Sequence, residues 1–186
     1  MLRIYHRLAI ATVVILTIST VNAHGQRTMK GQSALEIGAS YNGMSAGVSA
    51  DYSQYTLNGL WYVGIGANDY FALYGVDERM RYDHFCSYGG YLFRLAGTRS
   101  RSVCLYGGGA VMIGMEWIDP FGELAQQFSA ALEHYRFLYG VAPKILAEFF
   151  VSSRFAFTLF GSIPINFSSA YGNVGFNAGA GFRIML

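Results

Sequence analysis

The chain ends "NVGFNAGAGFRIML", residues 173–186, in which Val174, Phe176, Ala178, Ala180, Phe182, Ile184 and Leu186 are apolar. The residues between them, Gly175, Asn177, Gly179, Gly181 and Arg183, are small or polar. Alternation with a period of two marks a strand, because successive side chains leave a pleated backbone on opposite faces. A strand with one bulky apolar face and one small face leaves two solutions. In a soluble sandwich the bulky face meets a core, whereas in a membrane barrel it meets lipid and the small face fills the lumen.

The same pattern recurs through the chain. Strands are expected at Ser33–Tyr41, Met44–Ser53, about Tyr55–Ala67, Arg81–Leu95, Ser102–Ile118, Glu133–Phe150, Arg154–Phe167 and Asn173–Leu186. That makes eight, an even number as single-chain bacterial barrels have. Short connections "SQ", "AGTRSR" and "VSSR" fall on one side, and two long ones, 68–80 and 118–132, fall on the other. Pro143 and Pro164 lie inside strands and mark local irregularities, because proline donates no ladder hydrogen bond. Trp61, Tyr62, Tyr82, Trp117 and Tyr171, near strand ends, are candidates for interfacial girdles.

Residues opposite the bulky face are dominated by Gly, Ser, Ala and Asn, too small and too weakly polar for a water-facing surface. Charges also collect on that face: Glu36, Asp51, Arg94, Glu116, Arg136, Lys144, Glu148 and Arg183. Both features favour an all-β, eight-stranded antiparallel outer-membrane β-barrel over a secreted soluble barrel. No later segment is apolar enough for a spanning helix, so closed strands are the remaining way to satisfy the backbone in hydrocarbon.

The first 23 residues read as a cleaved signal peptide. Arg3 and Arg7 give a basic start, "LAIATVVILTIST" is the apolar stretch, and "VNA" places small residues before a cut after Ala23. Residues 24–32 are then a short N-terminal periplasmic segment and 33–186 the transmembrane β-barrel, in the outer membrane of a Gram-negative bacterium. Removing Arg3 and Arg7 leaves eleven basic against eleven acidic residues. The basic pI therefore belongs to the export signal and gives no reason to expect direct nucleic acid binding.

Chemistry is sparse. His84 and His134 are the histidines of the barrel and are expected to face inward on the loop side, with Asp83 and Glu133 beside them. Neighbouring strand residues point to opposite faces, so neither pair forms a His–carboxylate contact in a regular strand. Cys86 and Cys104 are expected to remain separate lumen thiols: with a turn near 98–99, Cys86 faces about residue 111, too far from Cys104 for a disulfide. "GGGA" at 107–110 has no helix after it and reads as a strand with small side chains rather than a phosphate loop. The chain has no metal-ligand spacing. No catalytic, cofactor-binding or metal-ligating residue is assigned, and neither a cofactor nor a small-molecule substrate is expected.

The stretch "RYDHFCSYGGYLFRLAGTRSRSVCLYGGGAVMIGMEWID" resembles the central hairpin of the conjugative transposon protein TraO family of the Bacteroidetes. In that family a tyrosine-rich strand runs through a "GY.F.L.G" stretch and a basic turn into a "GG.A..GYE"-like strand. "RFLYGVAPKILAEFFVSSRFAFTLFGSIPINF" is similar to its next hairpin, and "FNAGAGFRIML" to its "AG.G.RF.F" close, although this chain ends in Leu186 where an aromatic is usual. The resemblance implies a non-enzymatic structural or docking component of a conjugative DNA-transfer apparatus, with outer-membrane lipid and other conjugal transfer proteins as partners. It brings no catalytic residues. A general envelope barrel for adhesion or envelope integrity is the alternative, and a lipid-modifying barrel enzyme centred on His84 or His134 is a third reading.

Overall fold

The computed structural model describes residues 30–41, 45–74, 78–98, 102–120, 135–169 and 174–186, with the side chains of 70–74, 78–82 and 118–120 left out. The expected signal peptide, residues 24–29, His134 and connection 121–134 lie outside the described residues. The strands are β1 (Ser33–Tyr41), β2 (Ser45–Tyr55), β3 (Gly59–Tyr74), β4 (Glu78–Gly97), β5 (Val103–Pro120), β6 (Tyr135–Phe150), β7 (Phe155–Ser162), β8 (Ile165–Asn166) and β9 (Asn177–Met185). Every pairing is antiparallel, β1 pairs with β9, and β5 pairs with both β4 and β6, so the sheet closes on itself.

β7 and β8 are two pieces of one spanning strand. Ser162 faces Asn177 and Ile165 faces Val174, a constant register across the break at Ile163–Pro164. Ile163 donates to the Pro143 carbonyl at 3.0 Å, and Gly175 donates to the Pro164 carbonyl at 2.9 Å. Neither proline can return the second bond of its pair, which accounts for the interruption. Eight spanning strands are therefore formed from nine segments, as the alternation predicts.

Facing also follows the alternation. Ile37, Val48, Ile65, Phe85, Val111, Ile113, Phe137, Ile145, Phe157 and Phe182 are exposed on the outer wall, while Glu36, Asp51, Glu116, Glu148 and Arg183 are buried inside. An apolar belt around the whole circumference is far more than a water-soluble monomer exposes. Such a belt is the outward pattern that transmembrane barrels carry.

Four expectations are corrected. The turn after β2 is Thr56–Asn58, not "SQ": Ser53 and Gln54 pair within β2, and the Thr56 amide and hydroxyl both donate to the Gly59 carbonyl. Tyr55 consequently closes β2 and points into the lumen at 3% exposure instead of opening the next strand on its outward face, and Tyr62, a girdle candidate, is also inward at 4%. Residues 68–74 and 78–80 are strand rather than loop, since Asn68–Tyr74 pairs with Glu78–His84 and lengthens the β3–β4 hairpin. Arg94 and Arg136, at strand ends, are exposed rather than buried with the other lumen charges.

The β4–β5 register also departs from the expected one. Cys86 faces Gly114, not residue 111, because the turn spans 98–102 and the register shifts between Arg94 and Ala96. The consequence for the thiols is unchanged. Cys104 faces Gly97, so the two cysteines sit at different heights, and neither is in a disulfide. Electrophoretic mobility of the folded protein is therefore expected to be the same with and without reductant, and a mobility shift on reduction would contradict this register.

Candidate functional site

The lumen is where the barrel concentrates its chemistry. Near the end that carries both chain termini, Ala34, Tyr55, Leu60, Leu92, Tyr106, Leu146, Phe150, Ala156 and Met185 form an apolar floor. Strand register sets Ala34 beside Met185 and Tyr55 beside Leu60. Large side chains at the inward positions of an eight-stranded barrel fill its cross-section.

Interleaved with these apolar side chains is an ionic cluster centred on Arg183. Its Nε donates to Glu36 Oε2 at 2.7 Å and its Nη2 pairs with the same carboxylate oxygen. Its Nη1 reaches Glu148 Oε1 at 2.8 Å and the Tyr55 hydroxyl oxygen at 3.0 Å. Tyr55 in turn donates to Glu148, and Thr158 donates to Glu36 Oε1 at 2.9 Å. Glu36, Glu148 and Arg183 are at most 3% exposed. The planar guanidinium fork suits this task, because it addresses two carboxylates at fixed angles while keeping its charge. Gly181 leaves the necessary room: a Cβ there would stand 2.7 Å from Glu36 Oε1 and 2.6 Å from Thr158 Oγ1.

Further toward the loop end, the Lys144 ammonium lies 4.9 Å from the Tyr62 ring centroid and 4.7 Å from that of Phe160. Such contacts stabilise a desolvated cation by ~2 kcal/mol. The Phe160 ring itself packs across the backbone of Gly38 and Gly179. Beside this layer is a cavity of about 100 Å³, lined among others by Ser49, Asn68, Tyr88, Lys144 and Asn166. At ~30 Å³ per molecule it holds a few waters. It does not form a passage for a polymer.

His84 is buried on the loop side, as its inward alternation predicts. Its partner is Glu116, directly opposite on β5, with Nε2 to Oε1 at 2.7 Å. Ser169 donates to the same carboxylate oxygen at 3.0 Å, and Ser168 donates to the Phe137 carbonyl at 2.6 Å. A serine, a histidine and an acid thus meet, but in an order unsuited to nucleophilic catalysis. The carboxylate stands between the hydroxyl and the imidazole, whereas a serine nucleophile needs the base on its own hydroxyl. The arrangement ties the segment after β8 to β5 and β6. Asp83 lies on the exposed face, away from His84, as adjacent strand residues must. Sequence reasoning placed Glu116 on the inward face but missed its pairing with His84, and missed Ser169, because these contacts depend on strand register.

The lumen charges identified from sequence are thus sorted by structure into two buried clusters, Glu36–Glu148–Arg183 and Glu116 with His84, plus the buried Asp51 and the half-buried Lys144, with Arg94 and Arg136 exposed. Among the described residues no group of three or more His, Cys, Asp or Glu side chains is placed to hold a metal ion.

The fold is similar to Ail, the attachment invasion locus protein of Yersinia pestis, solved in complex with the heparin analogue sucrose octasulfate. The TM-score is 0.50 at 15% identity, over 84% of this chain and 99% of that one. The N-terminal β-barrel domain of Pseudomonas aeruginosa OprF aligns at a TM-score of 0.48 and 8% identity, over 84% of this chain and 98% of that one. Neisserial surface protein A aligns at 0.46 and 11%, over 82% and 94%. No curated protein matches the chain in sequence. The family model for conjugative transposon protein TraO, however, matches residues 25–186, the whole described barrel, and the chain belongs to that family.

Proposed function

We propose that the protein is a non-enzymatic structural and docking component of the conjugative DNA-transfer apparatus, seated in the outer membrane, and that it supports transfer without conducting DNA. The observation that carries this reading is the filled lumen: apolar side chains and the Arg183 cluster interdigitate across the cross-section in the terminal part of the barrel. A conduit needs an open interior, which barrels of eight strands do not provide. The barrel then contributes its outer wall to lipid and its ends to other transfer proteins. The connection at 121–134 and the long β3–β4 hairpin are the contact elements on the loop side. In this reading residues 1–23 are a signal peptide removed on export, 24–32 lie in the periplasm, and neither nucleic acid, a cofactor nor a small-molecule substrate is bound.

The test is donor mating frequency after a clean in-frame deletion in the native host, with complementation in trans. Transconjugants are expected to fall by orders of magnitude without a growth or permeability defect, and to recover on complementation. Undiminished transfer would refute the role and leave a general envelope barrel.

A further inference from the structure

The ends of the barrel differ sharply in charge. Of the 11 acidic residues, Glu36, Asp51, Glu116 and Glu148 are buried in the lumen. The other seven lie at strand ends or in connections on the loop side, between positions 69 and 133. The end that carries the termini has no exposed acid among the described residues. It presents Lys30 before β1, Arg94 at the end of β4 and Arg154 before β7, all exposed.

Two features distinguish this basic rim from a patch for one protein domain. First, the bases are spread around the circumference. In the strand order β5-β4-β3-β2-β1-β9-β7-β6 they mark the β4–β5 turn, the start of β1 and the β6–β7 turn, leaving the β2–β3 turn uncharged. Second, they abut the lipid-facing band. Leu57, Leu95, Val151 and Leu186 are 55–67% exposed at the same end of the barrel as these bases. Turns of three to five residues cannot carry these charges far beyond the last apolar side chains. The cations are therefore held at the depth where phospholipid phosphates lie.

We infer that the terminal rim of this barrel selects anionic phospholipid headgroups, drawing a ring of them around its circumference in the leaflet it faces. The inference rests on the reading of the barrel as membrane-embedded. The bases form no ion pairs within the described protein, so lipid phosphates meet them without displacing an internal partner. Basic groups at a bilayer surface favour anionic lipid several-fold each at low salt. The loop end, where seven acids in sequence outnumber Arg79, Arg81 and Arg136, gives the opposite preference.

The two tryptophans make a built-in test. Trp61 lies near the terminal rim in β3, and Trp117 lies near the loop end of β5. Full-length mature protein carrying W117F or W61F is refolded into phosphatidylcholine vesicles containing a minor fraction of phosphatidylglycerol. Energy transfer is read to phosphatidylglycerol or phosphatidylcholine bearing the same acyl-chain acceptor. Transfer from Trp61 is expected to favour phosphatidylglycerol by roughly two- to five-fold, and Trp117 is expected to show no such preference. The preference should vanish at about 1 M salt, where the screening length is ~3 Å, and in K30Q/R94Q/R154Q. The salt arm needs no substitution in the rim, so it stands even if that variant folds poorly. Equal transfer to both labels at Trp61, or a preference indifferent to salt, would overturn the inference while leaving the barrel in the membrane. Retention of poly-glutamate by the rim without any lipid preference would overturn it in favour of an acidic protein partner. Absence of transfer to either label from either tryptophan would overturn the membrane reading as well.

Discussion

Arg183→Met is expected to prevent stable folding or to destabilise the barrel by about 3–5 kcal/mol, the usual result of stranding a buried charge. Removing the guanidinium leaves Glu36 and Glu148 facing one another in the lumen, each with its strongest donor gone. The methionine fills similar space, so the loss is electrostatic rather than a cavity. Arg183→Lys should fall between the two, because an ammonium restores the charge but not the fork that reaches Glu36 and Glu148 together. The informative control is E36Q/E148Q/R183M, in which all three formal charges are gone. It should recover much of the lost stability, since neutral replacements relieve the uncompensated carboxylates. Urea unfolding in vesicles, followed by heat-modifiable mobility on gels, reads all three. An unchanged R183M midpoint would mean that the cluster contributes nothing to the fold.

Val111→Arg tests the opposite face of the wall. Val111 is 66% exposed in the middle of β5, opposite Gly89 on β4 and Val141 on β6. If that surface meets hydrocarbon, an arginine there costs about 2–4 kcal/mol, falling to ~0–1 kcal/mol near the interfaces. Trp117→Arg, toward the end of the same strand and on the same face, is therefore the milder variant in its charge cost. In a water-soluble barrel both substitutions would add charge to an already wet surface and be nearly neutral. The comparison of the two positions in the same vesicle unfolding experiment decides between lipid and water without reference to any relative.

Much of this architecture was legible because a period of two is a local property. The inward positions of Glu36, Asp51, Cys86, Glu116, Glu148 and Arg183 need only the parity of their own strands. Parity failed where a turn was misplaced: with Ser53–Gln54 taken as the connection, Tyr55 was assigned to the following strand and its side chain to the wrong face. The charged stretch 68–80 was misread for a different reason. Polarity marks a loop inside a compact soluble domain, but a hairpin can remain paired through polar and charged positions such as Asn68, Asp69 and Asp83.

The clusters themselves were less accessible. Glu36 opposite Arg183 could have been found by closing β9 onto β1, since the two residues face each other directly. Glu148 could not, because it reaches Arg183 across the lumen from a strand that does not pair with β9. The His84–Glu116 contact depended on a β4–β5 register that a bulge at Leu95 and a five-residue turn displaced. Local pattern thus established the barrel and its faces, while the chemistry inside it depended on strand alignment and curvature.

The filled lumen is the claim on which the functional account turns, and planar-bilayer conductance of the refolded mature chain tests it most directly. The apolar floor, the Arg183 cluster and the aromatic-clamped Lys144 predict a silent membrane, without the stable open steps of a water-filled transfer channel. Reproducible, long-lived steps of that size from protein whose folding has been verified would contradict the sealed barrel and return it to consideration as part of the conduit.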